Sequence, residues 1–211
     1  MGRDARCDAF PAHFFARQDE SPDSFFYAPP RLVTHIDDGA IAAVGDLYAE
    51  LGITGEVLDL CSSWVSHFAA TPARLVALGM NHVELAQNPQ AADWVVHDVN
   101  ADPALPFTDA SFEAAVCCVS VDYLVRPLEV FDEVARILRP GGPFVCTFSN
   151  RLFPTKAIRG WLMTSDEEHL QIVSEYFRRS TGWDEPIAQR RTPPTHVGDP
   201  LFAVWAHRAH E

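Results

Sequence analysis

Positive charge is scarce in this sequence. Sixteen Lys and Arg residues stand against 29 Asp and Glu, for a formal net charge of −13. Such a field repels phosphate backbones and argues against a nucleic-acid partner. Long apolar runs are missing too. None approaches the roughly 20 residues that cross a bilayer, and Met1 to Arg6 is followed by no apolar signal core. The five cysteines, Cys7, Cys61, Cys117, Cys118 and Cys146, form no CxxC pair and no metal-ligand spacing. Three of them fall in apolar, strand-like stretches and read as small buried hydrophobes. The expectation is a reduced, cytosolic protein with no metal site. No GxSxG elbow, HExxH pair or Walker loop occurs. No glycine occurs between Gly55 and Gly79. No internal repeat, low-complexity segment or interdomain linker is visible.

The 211 residues are 47 % hydrophobic and 21 % charged, enough for one domain with a sizeable core. Thr34 and Asp37 signal a helix start, followed by Ile41, Val44, Leu47, Tyr48 and Leu51 at helical spacing. Glu56 to Leu60 reads as a strand. Arg74 to Asn81 reads as a second, only about a dozen residues beyond Cys61, so the first crossover helix is expected to be short. A helix over His82 to Asn88, a strand at Trp94 to His97 and a strand at Phe112 to Val119 follow. Pro127 opens a helix with Leu128, Phe131, Val134, Ala135 and Leu138 on its buried face, and Phe144 to Phe148 is the next strand. Ser165 and Glu168 form a capping box ahead of Leu170, Val173 and Phe177. Two strands near 185–190 and 201–207 favour an antiparallel pair. The alternation predicts an α/β fold: a Rossmann-like, open, mostly parallel sheet with helices on both faces and an antiparallel C-terminal strand pair at its edge.

Residues 1–30 read differently. They are irregular and carry Phe14, Phe15, Phe25, Phe26 and Tyr27, too many aromatics for a solvated tail. The expectation is either packing on the outside of the domain or a lid over a ligand. Residues 31–211 are expected to form a single domain.

The first strand, Val57-Leu58-Asp59-Leu60, stops in Cys61-Ser62-Ser63-Trp64. A carboxylate at the end of a buried strand is costly without partners. It either caps the turn or awaits a ligand amine or hydroxyl. The strand ends at Asp59, Gly79-Met80-Asn81, Asp98 and Val119-Ser120 would meet at one carboxyl edge, where open α/β sheets bind ligands.

Their order resembles that of the class I S-adenosylmethionine-dependent methyltransferases, from about residue 31 onward. The stretches that carry the resemblance are His97 to Asn100, Leu105 to Glu113 and Glu129 to Gly142, which together are similar to the small-molecule branch that includes the quinone-biosynthesis enzymes. Within it, Asp59-Leu60-Cys61-Ser62-Ser63-Trp64-Val65-Ser66-His67 resembles the first motif of a subgroup that also shares Phe26-Tyr27-Ala28, Val33 to Asp37 and Gly198-Asp199-Pro200. Two features depart from the family pattern. Cys61, Ser62 and Ser63 replace its glycine-rich first loop, and Gly79, Met80 and Asn81 stand where it places an acid for the ribose.

The resemblance implies S-adenosyl-L-methionine as cofactor and a small-molecule acceptor, with no membrane. Asp59, with Leu60, Cys61, Ser62 and Ser63, would hold the methionine end, and Asn81, beside Gly79 and Met80, the ribose. Asp98 and Val99 would hold the adenine, and Ser120 the sulfonium side. Methyl transfer needs alignment and exclusion of water more than a triad, so few catalytic residues are expected. His35 and His67 are candidate bases. Tyr27, Tyr123, Asn150 and Arg151 are candidates on the acceptor side, with His35, Tyr27 and Asn150 taken as catalytic. The departures leave a second reading, a catalytically inactive S-adenosylmethionine-binding regulatory or partner protein. A nicotinamide-dependent oxidoreductase is disfavoured because no GxGxxG follows the first strand.

Overall fold

Near-continuous apolar strands require cover on both faces, and the chain supplies it. The computed structural model describes residues 5–210; residues 1–4, where the 1–30 segment and any signal begin, lie outside the described residues. In chain order the elements are α1 (Asp23–Phe26), α2 (Asp38–Glu50), β1 (Glu56–Leu60), β2 (Arg74–Gly79), α3 (His82–Leu85), β3 (Asp93–Val96), β4 (Ala114–Cys118), α4 (Pro127–Ile137), β5 (Pro143–Phe148), α5 (Arg159–Leu162), α6 (Asp166–Arg179), β6 (Ile187–Arg190) and β7 (Phe202–His207). The strand order is β3-β2-β1-β4-β5-β7-β6. The first five strands in sequence pair in parallel. β7 runs antiparallel to both β5 and β6, which closes the edge as expected.

Alternation sorts each strand's side chains onto two faces. Val57, Leu75, Val116, Val145 and Ala203 pack beneath Ala40, Val44, Leu47 and Tyr48 of α2. Leu58, Leu60, Leu78, Cys117, Phe144 and Cys146 face Phe131 and Val134 of α4 and Tyr176 and Phe177 of α6. The capping box forms as read, with Ser165 and Glu168 each bonding the other's backbone N–H.

Three elements differ from the expectations. No helix crosses from β1 to β2. Instead Ser62 N–H donates to Leu78 O at 2.7 Å, folding residues 61–73 back over the end of β2. α3 is a single turn and not a helix to Asn88, because the Asn88 amide is drawn aside to Ser63 O and Ser66 Oγ. The cap of α2 is Asp37, whose carboxylate accepts Ala40 N–H, and not Thr34.

The N-terminal segment splits by function. Phe10, Phe14 and Phe15 pack tilted and edge-to-face with centroids 5.1 Å apart, and Phe10 and Phe15 lean on Tyr176. Phe25 is 72 % exposed. Between them the chain is anchored by ions. The single lysine of the sequence, Lys156, is fully buried and reaches Asp19 at 3.0 Å and Asp23 at 3.2 Å. Arg17 Nη1 pairs with Asp23 at 2.7 Å, and Asn100 Nδ2 donates to the same carboxylate. Hydrogen bonds from Asn100 and Arg17 outweigh the burial that would raise Asp23 and hold its carboxyl below the ordinary range.

Candidate functional site

Strand order reverses between β1 and β4, and the crevice at such a point is where open α/β sheets bind ligands. A cavity of about 330 Å³ opens there. One wall is made by strand ends. Asp59 is 4 % exposed; its Oδ2 accepts Ser62 Oγ at 2.6 Å and Ser66 Oγ at 2.5 Å. Burial pushes its carboxyl up to about 6, against the lowering effect of the two hydroxyls. Among the described residues no cation lies within ion-pair distance of it. A buried carboxylate so placed is an acceptor in want of a cationic ligand group.

The backbone at this wall is held in costly shapes. Cys61 (φ 56°), directly after β1, and Val119 (φ 45°), directly after β4, both adopt left-handed conformations, and for β-branched Val119 this is an outlier. Gly79 answers a different demand. A Cβ there would lie 2.1 Å from Ser62 O, so the last position of β2 admits no side chain, and hence no acid.

Asn81 is fully committed. Its Oδ1 accepts Val83 N–H and Glu84 N–H, and its Nδ2 donates to Tyr27 O and Ala28 O. An amide has two donors and one two-fold acceptor, so nothing is left for a ribose hydroxyl; Asn81 caps α3 and pins the N-terminal segment. The acid at this corner is Glu84, 8 % exposed, with Oε1 accepting Arg31 N–H and Oε2 accepting Ser63 Oγ, each at 2.6 Å. Each oxygen keeps a free lone pair. Asp98 Oδ1 accepts the N–H groups of Asn100 and Ala101, which leaves Oδ2 for a ligand. Met80, Val99 and Ser120 complete the wall, Ser120 Oγ donating to Cys118 O at 3.1 Å.

The rest of the lining, here called the outer wall, comes from the N-terminal segment and from loops. Tyr27, Arg31, Val33, His35, His67, Tyr123, Arg151 and Phe153 line it. Phe153 is its hub, with ring centroids 5.2 Å from Phe26, 5.3 Å from His35 and 5.9 Å from Tyr123. Tyr123 Oη accepts Phe153 N–H. Burial lowers His35, opposed by Glu84 and reinforced by Arg31, and burial with the neighbouring His35 lowers His67, so both imidazoles are neutral at pH 7. Burial drives Tyr27 far above its ordinary value, which keeps its hydroxyl protonated.

Two of the expected site residues stand outside the cavity. Leu60 sits one position beyond Asp59 and therefore points to the other face, fully buried beside Leu58. Asn150 is exposed and off the lining, while Arg151 and Phe153, further along the same loop, reach it. Sequence reasoning passed over Glu84, Arg31 and Phe153. Glu84 lay in an expected helix, and Arg31 and Phe153 carried no local signal beyond their place next to a strand-end loop or aromatic segment. Among the described residues, no group of three or more His, Cys, Asp or Glu side chains is placed to hold a metal, and no helix is long and apolar enough to cross a membrane.

Comparison with known proteins adds the chemistry. Residues 54–146 match the methyltransferase domain family. Over 110 residues the chain is 34 % identical to a demethylmenaquinone methyltransferase of Clavibacter sepedonicus, covering 48 % of this chain and 45 % of that protein. Over 142 residues it is 29 % identical to a methyltransferase of Mycolicibacterium vanbaalenii, covering 60 % and 53 %. The chain thus spans about half the length of the curated relatives it matches. Among solved structures, the 1,6-didemethyltoxoflavin-N1-methyltransferase of Burkholderia thailandensis, solved with bound 1,6-didemethyltoxoflavin and S-adenosylhomocysteine, superposes with a TM-score of 0.56 at 18 % identity over 82 % of this chain and 80 % of that one. The cyclase SpnF superposes with a TM-score of 0.57 at 15 % identity over 80 % and 81 %. These likenesses show the fold alone, and the cyclase illustrates that one fold hosts several chemistries. Residues 54–146 thus carry the match to the methyltransferase domain family, and the Rossmann-like fold and the strand-end site agree with it. Nothing in the site or the matches favours a binding-only partner protein.

Proposed function

We propose that the protein transfers a methyl group from S-adenosylmethionine to a small-molecule acceptor. The observation that supports this most is Asp59, a buried carboxylate without a cation at the switch point of the sheet. In this reading Asp59 accepts the amino group of the methionine moiety. Glu84, in place of Asn81, takes the ribose hydroxyls on its free lone pairs, and Asp98 Oδ2 takes the adenine amine. Ser120, on the cavity lining next to the strained Val119, lies on the sulfonium side. When bound, the cofactor would supply a methyl carbon on a sulfonium leaving group, which the acceptor's lone pair would displace, the carbon–sulfur electron pair staying on sulfur. Neutral His35 receives the acceptor's proton, where it has one to lose, and Tyr27 and Phe153 exclude water from the line of transfer.

Thermal unfolding with and without nucleosides tests the reading. A ligand of the folded state alone stabilises by about 2.7 kcal/mol at a hundredfold excess over its Kd, so S-adenosylhomocysteine raises Tm by several degrees and NAD does not. Equal shifts with both contradict a specific pocket. Glu84→Gln should weaken both S-adenosylhomocysteine and adenosine by about 1 kcal/mol, because both carry the ribose; calorimetry in which neither ligand responds would return Glu84 to a purely structural role. Methyl-labelled cofactor incubated with an acceptor panel then reads turnover.

A further inference from the structure

We infer that the acceptor is an anion, a small molecule whose carboxylate or phosphate group lies against Arg31 and Arg151 while its apolar or aromatic body rests on Phe153. The inference rests on the methyltransferase reading above. Of the charged groups on the lining, Asp59, Glu84 and Asp98 lie at or near strand ends, whereas the two arginines, Arg31 and Arg151, come from the N-terminal segment and the loop after β5, with the Arg31 backbone N–H on Glu84. The remaining lining acid, Asp23, is consumed by Arg17, Lys156 and Asn100. His35 and His67 are neutral and contribute no competing charge.

Arg31 has no carboxylate within ion-pair distance among the described residues. Its guanidinium lies 4.5 Å over the Phe26 ring and 5.5 Å from the Phe153 ring, and it donates to the carbonyls of Phe26 and Pro29. Aromatic faces and carbonyls hold a cation in place without cancelling its charge. Arg151 is steered from behind. Its Nε donates to Asp199 Oδ1 at 2.7 Å, while Asp199 Oδ2 accepts Asp37 N–H and Asp199 N–H returns a bond to Asp37. This clasp joins the Val33–Asp37 and Gly198–Pro200 motifs from opposite ends of the chain. It fixes Arg151 at Nε and leaves its two terminal nitrogens with no partner among the described residues. On a protein of net charge −13, an anion is repelled everywhere except at such a local pair, and a guanidinium is the group suited to carboxylate or phosphate. A neutral acceptor would gain from the arginines only hydrogen bonds weaker than those an anion makes.

The test uses protein saturated with S-adenosylhomocysteine, titrated with benzoate, phenyl phosphate and the neutral isostere benzamide by saturation-transfer NMR. Benzoate or phenyl phosphate should bind at least about tenfold more tightly than benzamide. Arg31→Gln and Arg151→Gln should each erode that preference, and Arg31→Lys should retain part of it. Should Arg31→Gln fail to fold by circular dichroism, Arg151→Gln carries the comparison. Equal binding of all three probes, or a preference unchanged in every folded variant, overturns the inference. Calorimetry with S-adenosylhomocysteine on the same samples separates the two levels. Normal nucleoside binding without anion preference sinks the acceptor assignment alone, whereas absent nucleoside binding sinks the methyltransferase reading and the inference with it.

Discussion

The two walls of the cavity are made in opposite ways. The strand-end wall is local: Asp59, Gly79, Asp98 and Ser120 each follow or end a strand, and the parallel register brings them to one edge. All lie within the 54–146 stretch that matches the methyltransferase domain family. The outer wall is assembled largely from residues 17–35 and 151–153, with His67 and Tyr123, through long-range contacts such as Lys156 to Asp19, 137 positions apart, and Arg151 to Asp199, 48 apart. In the proposed reading the cofactor would be held by the part of the fold that the sheet dictates, and the acceptor would meet the part held by ion pairs and aromatic contacts that the sheet leaves free to vary.

The largest expected effect breaks the outer wall. Lys156→Met removes a buried cation, leaving Asp23 with Arg17 and Asn100 and taking the ion-pair partner from Asp19. Losing one partner of a buried pair costs about 3–5 kcal/mol. Urea denaturation should show that loss, with S-adenosylhomocysteine affinity at low urea changed much less than acceptor turnover. A nucleoside affinity that collapses with stability would mean the walls are not separable.

Next is a break in the strand-end wall. Gly79→Ala places a methyl group against Ser62 O, a backbone atom that cannot step aside. Overpacking of this kind costs about 3 kcal/mol, and because the Ser62 hydroxyl holds Asp59, nucleoside binding should fall with it. A variant that binds S-adenosylhomocysteine normally would show that the loop is softer than its contacts imply.

The same contrast explains what could be read in advance. The sheet, the antiparallel edge and the meeting of Asp59, Asp98 and Ser120 follow from strand periodicity, which is local. Leu60 was misplaced because a loop motif was read as a block, although alternation already turns it to the core beside Leu58. Asn81 was misread because its polar groups are satisfied by Tyr27 and Ala28, 54 and 53 positions away, and no local pattern shows that. Arg31 and Phe153 escaped notice for the same reason. The missing glycines, by contrast, proved to be a matter of strain and not of lost shape: Cys61 takes the left-handed conformation all the same.

That strain gives the smallest prediction. Cys61→Gly should stabilise the protein by about 1 kcal/mol, since glycine takes positive φ freely, and should leave nucleoside affinity nearly unchanged. Thermal unfolding checks it. A destabilised variant would show that the packing of the Cys61 side chain outweighs its backbone cost.

The central claim is that Asp59, charged and buried, receives the cofactor's amino group. Its carboxyl is raised from 3.8 to about 6 by burial, so the folded state without ligand binds this proton more tightly than the unfolded chain. The resulting contribution to stability is complete below pH 3.8 and is lost as pH rises through about 6. Above that, the neutral variant Asp59→Asn should be more stable than the wild type by up to about 3 kcal/mol, yet should bind S-adenosylhomocysteine more weakly by about 1.5–3 kcal/mol. The decisive measurement is calorimetric titration of S-adenosylhomocysteine into both proteins from pH 5 to pH 8. The account predicts wild-type affinity that falls as pH drops through about 6 and a weaker affinity for Asp59→Asn that is flat across the same range. Equal affinities in the two folded proteins at pH 8 would contradict it and make Asp59 a turn residue.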